Sequence, residues 1–98
     1  MTITDTLKHR GDKYGDFADI ARLTGEFMLL VRNAESYGDM SDVHIEALHM
    51  IFSKIARMVN GDPWYSDNAH DIAGYATLLE DYINIINAKE IERKGGAI

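Results

Sequence analysis

Lys54 and Arg57 stand about one helical turn apart, and the carboxylates Asp67 and Asp71 stand a turn apart further along the same stretch, KIARMVNGDPWYSDNAHDIAGY. Side chains three or four residues apart on a helix share a face. Gly61 and Pro63 fall between the two pairs, so the stretch reads as a helix, a short loop and a second helix. A hairpin of that kind brings two cations toward two carboxylates, and Tyr75 extends the carboxylate line by four residues. Two roles are open to such a cluster. One is an inter-helix salt-bridge network, of small net value because desolvating the charges offsets their attraction. The other is an anion site. Arginine grips phosphate through two parallel hydrogen bonds, while lysine acts as a mobile point charge. The start of the following helix would add backbone N–H donors. Asp67 or Asp71 would orient the cations or accept from a ribose or base, and Trp64, Tyr65 and Tyr75 offer stacking faces.

A second group lies in RGDKYGDF, where Arg10, Lys13, Tyr14 and Asp16 surround Gly11 and Gly15. Glycines let a backbone turn sharply and approach a ligand closely. The order is neither GxxxxGK[ST] nor GxGxxG after a strand, and an intracellular setting disfavours an integrin-type reading of the RGD tripeptide. The ligand-binding candidates are therefore Arg10, Tyr14, Lys54, Arg57, Asp67, Asp71 and Tyr75. No catalytic residue is assigned. His44 and His49, five apart, point to different helix faces, and His70–Asp71 lacks the further ligands that a phosphohydrolase of the HD type needs. No metal site is expected from the histidines, and no nucleophile–base pair is apparent.

The elements that must position these residues are helical. The 98 residues suit one domain over 1–98, with 46% hydrophobic and 27% charged residues. A net charge of −6 argues against direct DNA or RNA binding, which calls for a basic face. There is no cysteine, so disulfides and thiolate metal sites are absent. No apolar run reaches the roughly 20 residues of a membrane span, and no signal-peptide pattern opens the chain. A cytoplasmic protein without a membrane partner is expected.

Thr4 to His9 suit a short N-terminal helix capped by Thr4, followed by a loop bracketed by Gly11 and Gly15. Phe17, Ile20, Thr24, Phe27, Met28 and Val31 make a stripe at helical spacing, predicting a helix from about Asp16 to Ala34. Gly25 weakens its middle and leaves room for a close helix contact. Ser41 caps the next helix, whose stripe of Ile45, Leu48, Phe52, Ile55 and Val59 runs to about Asn60. Glu46, Met50, Lys54 and Arg57 form a neighbouring stripe, and Gly61 stops the helix through its tolerance of positive φ. The last helix starts at Ser66 or Asp67, continues through about Glu92, and leaves the end RKGGAI frayed. Ile72, Tyr75, Ala76, Leu78, Leu79, Tyr82, Ile83, Ile85 and Ile86 spread round more of that helix than one stripe can bury. The expected fold is an all-α bundle of three main helices plus the short N-terminal one, assembled as a homo-oligomer.

The blocks RGDKYGDF, EALHMIFSKIARMVNGDP and DNAHDIAGYATLLEDY, within residues 8 to 82, resemble a family of small phage and prophage proteins of unassigned function. That resemblance implies a phage origin and, with it, the host bacterial cytoplasm. More distantly, KIAR…D…DIAGY is similar to the helical core of MazG-like nucleoside triphosphate pyrophosphohydrolases, which hold magnesium with ExxE and ExxD pairs. Here Glu46 has no ExxE partner, and Asp67 and Asp71 replace ExxD. Phages also use small oligomeric proteins to sequester nucleotide signals of bacterial defence. The expected function is binding of a phosphorylated nucleotide or related small molecule, as an anti-defence sponge, without turnover and without a cofactor. The alternatives are a magnesium-dependent MazG-like hydrolase and a non-catalytic protein-interaction module.

Overall fold

The computed structural model describes residues 2–95. All regular structure in them is helical: α1 (Ile3–Tyr14), α2 (Phe17–Arg32), a 3-10 turn at Tyr37–Asp39, α3 (Asp42–Asn60) and α4 (Ser66–Gly95). None of these helices is long and apolar enough to cross a membrane.

The N-terminal helix is twelve residues long, not the short turn expected. Thr2, not Thr4, is its cap: the Thr2 hydroxyl accepts from Asp5 N at 3.1 Å and Thr2 N donates to the Asp5 carboxylate at 3.3 Å. This capping box starts the helix two residues early. Gly11 is helical, so the expected loop shrinks to Gly15 and Asp16. Gly15 stops α1 at φ 86°, a conformation suited to glycine. Asp16 then caps α2 by accepting from Ala18 N at 3.2 Å. α2 ends at Arg32, two residues before Ala34. At the other end of the chain, Arg93 to Gly95 belong to the last turn of α4, and the rest of the expected frayed end lies outside the described residues.

Ser41 caps α3 as expected, with an addition that spacing does not reveal. His44 Nδ1 accepts from Ser41 N at 3.2 Å while Ser41 Oγ accepts from His44 N at 3.3 Å. The histidine thus fills the place that glutamate or glutamine usually takes in a capping box. After α3, Asp62 to Tyr65 form a turn with Pro63 at its second position and Tyr65 N donating to Asp62 O at 3.1 Å.

α3 is the central helix, against which α1, α2 and α4 each pack. Phe27 of α2 meets Phe52 of α3 with ring centroids 4.8 Å apart. Lys54 meets Asp71 and His44 lies edge-on to Tyr82, so α3 and α4 run antiparallel. The buried core is small: Ile20, Ala47 and Ala56, with Thr24 donating to Ile20 O at 2.7 Å. Gly25 makes no close helix contact, for a Cβ there meets open space. Gly61 has φ −118°, not the positive value expected, and its role is proximity. A Cβ on Gly61 would collide with the backbone of Lys13 and Tyr14, and one on Gly15 with the backbone of Asn60. Asp62 N donates to Lys13 O at 3.0 Å across the same contact. The C-terminal ends of α1 and α3 are therefore clasped backbone to backbone.

Candidate functional site

The clasp brings the two sequence candidates together by their aromatic and cationic side chains. Tyr14, in the last turn of α1, has the Arg10 guanidinium 5.3 Å from its ring centroid and the Arg57 guanidinium 5.2 Å away. Arg10 sits one turn before Tyr14 on α1, and Arg57 comes across from the last turn of α3. Tyr65 lies edge-on to Tyr14 at 5.8 Å, with the Lys13 ammonium 5.0 Å from its own ring. Cation–ring contacts of this kind contribute about 0.5–1 kcal/mol each when exposed. Neither Arg10 nor Arg57 takes part in an ion pair among the described residues.

A groove of about 470 Å³ opens beside this cluster, lined by Leu7, Arg10, Gly11, Tyr14, Gly15, Asp16, Phe17, Ile20 and Arg57. Its volume falls within the range of small-molecule sites. α1 and the start of α2 form its walls, and Arg57 reaches in from α3. Phe17 stands at its rim, 81% exposed. The groove thus combines two guanidiniums that make no ion pair among the described residues, the tyrosine ring they share, an exposed phenylalanine ring and the Asp16 carboxylate, in a chain of net charge −6.

The remaining candidates go elsewhere. Lys54 binds Asp71 at 3.0 Å, with the lysine side chain 12% and the aspartate 41% exposed, and so joins α3 to α4. Tyr75 lines an apolar groove with Val43, Ala47, Leu78 and Leu79. Asp67 serves Tyr65, whose phenol is pushed up from 10.0 to about 12. The nearby Asp67 carboxylate, which favours the protonated phenol, is the largest cause, followed by burial and by the influence of Tyr14. The folded state therefore holds this proton more tightly than the unfolded chain does. The contribution is fully present below pH 10 and is lost as pH rises through about 12. In an ultraviolet difference titration, one tyrosine is expected to ionise near 12, and Asp67→Asn should move that step downward. A titration curve unaltered by Asp67→Asn would remove Asp67 from this role.

Trp64 is 91% exposed and takes no part in the cluster. Glu46 borders the Val43–Leu78 groove together with Asp42. Glu46, Asp67 and Asp71 are thus dispersed over separate surroundings, and no group of three metal-competent side chains forms among the described residues. Within one chain, the three carboxylates of the MazG-like alternative do not come together.

Asn68 was missed by reading the sequence. It is 1% exposed, and neither its Nδ2 nor its Oδ1 has a hydrogen-bond partner. A buried orphaned polar group costs about 1–3 kcal/mol. Asn68→Ala removes both orphans and improves helix propensity, against the loss of some packing. Its thermal midpoint is expected to match or exceed that of the wild type. A drop of more than roughly 10 °C would show that the amide holds a partner. No family model, curated protein or solved structure matches the chain.

Proposed function

We propose that this chain binds a phosphorylated nucleotide in the groove between α1 and α2, without turning it over. The observation that carries this reading is the pair of guanidiniums, Arg10 and Arg57, gathered on Tyr14 without an ion pair among the described residues. Phosphate oxygens satisfy such a pair through charge-assisted bonds, and each guanidinium offers two parallel donors. Phe17, exposed at the rim of the same groove, offers a ring face for a base. Lys54 and Asp71, engaged with each other, fall outside the ligand set and act as a strut between helices.

The resemblance to small phage proteins extends the reading to sequestration of a bacterial defence nucleotide in the host cytoplasm. A sponge needs cations and stacking surfaces but no catalytic metal cage. The homo-oligomer expected from the sequence belongs to the same proposal. The test is incubation of the protein with cyclic dinucleotides, ADP-ribose derivatives and nucleoside triphosphates, then removal of free ligand, denaturation and mass spectrometry. Recovery of one class intact is the expected result. Retention of none of the three defeats the binding assignment, and recovery of pyrophosphate with a monophosphate replaces it with hydrolysis.

A further inference from the structure

α4 has 30 residues and is about 45 Å long. α3 has 19 and spans about 28 Å. Their contact starts at Lys54–Asp71 and reaches the groove where Ser41 and His44 meet Ile86 and Asn87. Beyond it α3 has ended, and the last turns of α4 are exposed except for a half-buried Glu90. An isolated helical segment of that length is marginal in water.

The exposed side of α4 is patterned. Gly74, Leu78, Ile85 and Lys89 follow at offsets that keep them on one strip, with half-buried Asp71 at its head. Leu78 is 64% and Ile85 54% exposed. Leu78 and Tyr75 belong both to a shallow groove of about 630 Å³ on α4 and to the apolar groove of about 310 Å³ against α3. The apolar surface is therefore continuous from α3 across α4.

The chain's surface leaves room for a partner of interface size. A folded monomer of 11.0 kDa exposes about 5,600 Å². This chain exposes 7185 Å². The excess, about 1,600 Å², is twice the roughly 800 Å² that each partner buries in a standard interface. Charge decides the direction. The strip begins at Asp71 and ends at Lys89, which makes no ion pair among the described residues. Asp71 already pairs with Lys54 at 3.0 Å and keeps 41% of its side chain exposed, and Glu90 is held by Arg93 at 2.6 Å and Lys94 at 3.4 Å. In an antiparallel second copy with Leu78 against Ile85, Lys89 of one chain falls opposite Gly74 of the other, about one turn from its Asp71, and the two helix dipoles are opposed. A parallel copy would set Asp71 on Asp71 and Lys89 on Lys89 as well as Asp81 on Asp81, the last of which the antiparallel copy also keeps beside its axis.

We propose that a second copy of this chain covers the α4 strip in antiparallel register, with Leu78 of each copy against Ile85 of the other. Two α3–α4 pairs then share one apolar seam, and the two-fold axis passes beside Asp81, midway between Leu78 and Ile85. This inference rests on the homo-oligomer of the proposed function and leaves the α1–α2 ligand groove free.

The chain has no cysteine, so a single introduced thiol reports proximity directly. Asp81→Cys is expected to form a covalent dimer rapidly on mild oxidation, since a disulfide needs Cα atoms roughly 4.4–6.8 Å apart. Arg22→Cys, on the exposed side of α2, should form it far more slowly. In sedimentation, the wild type should run as a dimer. Leu78→Glu and Ile85→Glu should each raise its dissociation constant roughly a hundredfold while far-ultraviolet circular dichroism stays helical. A wild-type monomer at micromolar concentration overturns both the oligomer and this interface. A dimer that both variants leave intact, or whose Asp81→Cys thiols couple no faster than those of Arg22→Cys, overturns the interface alone. Self-coupling of Leu78→Cys as fast as Asp81→Cys overturns the antiparallel register.

Discussion

Gly61→Ala is expected to lower the thermal midpoint by roughly 10–25 °C. The added Cβ would meet Lys13 O, Tyr14 C and, at 2.7 Å, Lys13 C. All three are backbone atoms, so no rotamer change relieves the contact. Moving α1 away breaks the 3.0 Å bond from Asp62 N to Lys13 O and exposes the face on which Tyr14 and Tyr65 meet. Overpacking costs about 1–3 kcal/mol and the lost hydrogen bond about 1 kcal/mol. A small domain has only about 5–15 kcal/mol in total. Gly15→Ala attacks the same junction from the other side. Its Cβ would lie 2.6 Å from Asn60 C, and its φ of 86° is strained for any residue with a side chain. Gly25→Ala is the control, because a Cβ there meets nothing within 4 Å and alanine should stabilise the helix by about 1 kcal/mol. Calorimetric scans in which Gly61→Ala and Gly25→Ala melt alike would dispose of the clasp.

Arg57→Ala is expected to weaken retention of the bound nucleotide by at least about thirtyfold, because a charge-assisted bond contributes about 1.5–3 kcal/mol and a bidentate pair more. Arg57 sits deepest in the cluster, reaching Tyr14 from α3, whereas Arg10 lies on the exposed side of α1. Arg10→Ala should therefore cost less. Arg57→Lys keeps the charge but loses the planar fork, and should fall between alanine and wild type. Lys54→Ala separates this assignment from the alternative drawn from residue spacing. It breaks the 3.0 Å pair with Asp71 and should lower the thermal midpoint, yet the folded protein should bind as before. Isothermal titration with the nucleotide class recovered by mass spectrometry measures all four variants. Unchanged affinity in a folded Arg57→Ala protein would empty the groove of its proposed role.

Within each helix, most of the outcome is readable from the chain, because capping and amphipathic patterning act over three or four residues. Ser41, Ser66 and the stripe from Ile45 to Ile55 place α3 and the start of α4 without reference to anything distant, whereas Val59, expected in that core stripe, is 62% exposed. The excess apolar surface of α4 is also legible, since Leu78, Ile85 and Ile86 lie outside any single stripe. What spacing leaves undetermined is which way each face turns. Lys54 and Arg57 are neighbours on α3, yet the first meets Asp71 of α4 and the second meets Tyr14 of α1. One turn of helix separates them along the axis, but their side chains leave it in directions far enough apart to serve different partners. Asp67 and Asp71 divide in the same way between Tyr65 and Lys54. Gly11 reads as a turn residue and is helical, because the Thr2–Asp5 box and the clasped end hold α1 from both sides. Gly15 and Gly61 each look like an ordinary helix stop. Only the packing of two chain segments more than forty residues apart makes them a matched pair, and no local preference carries information over that distance.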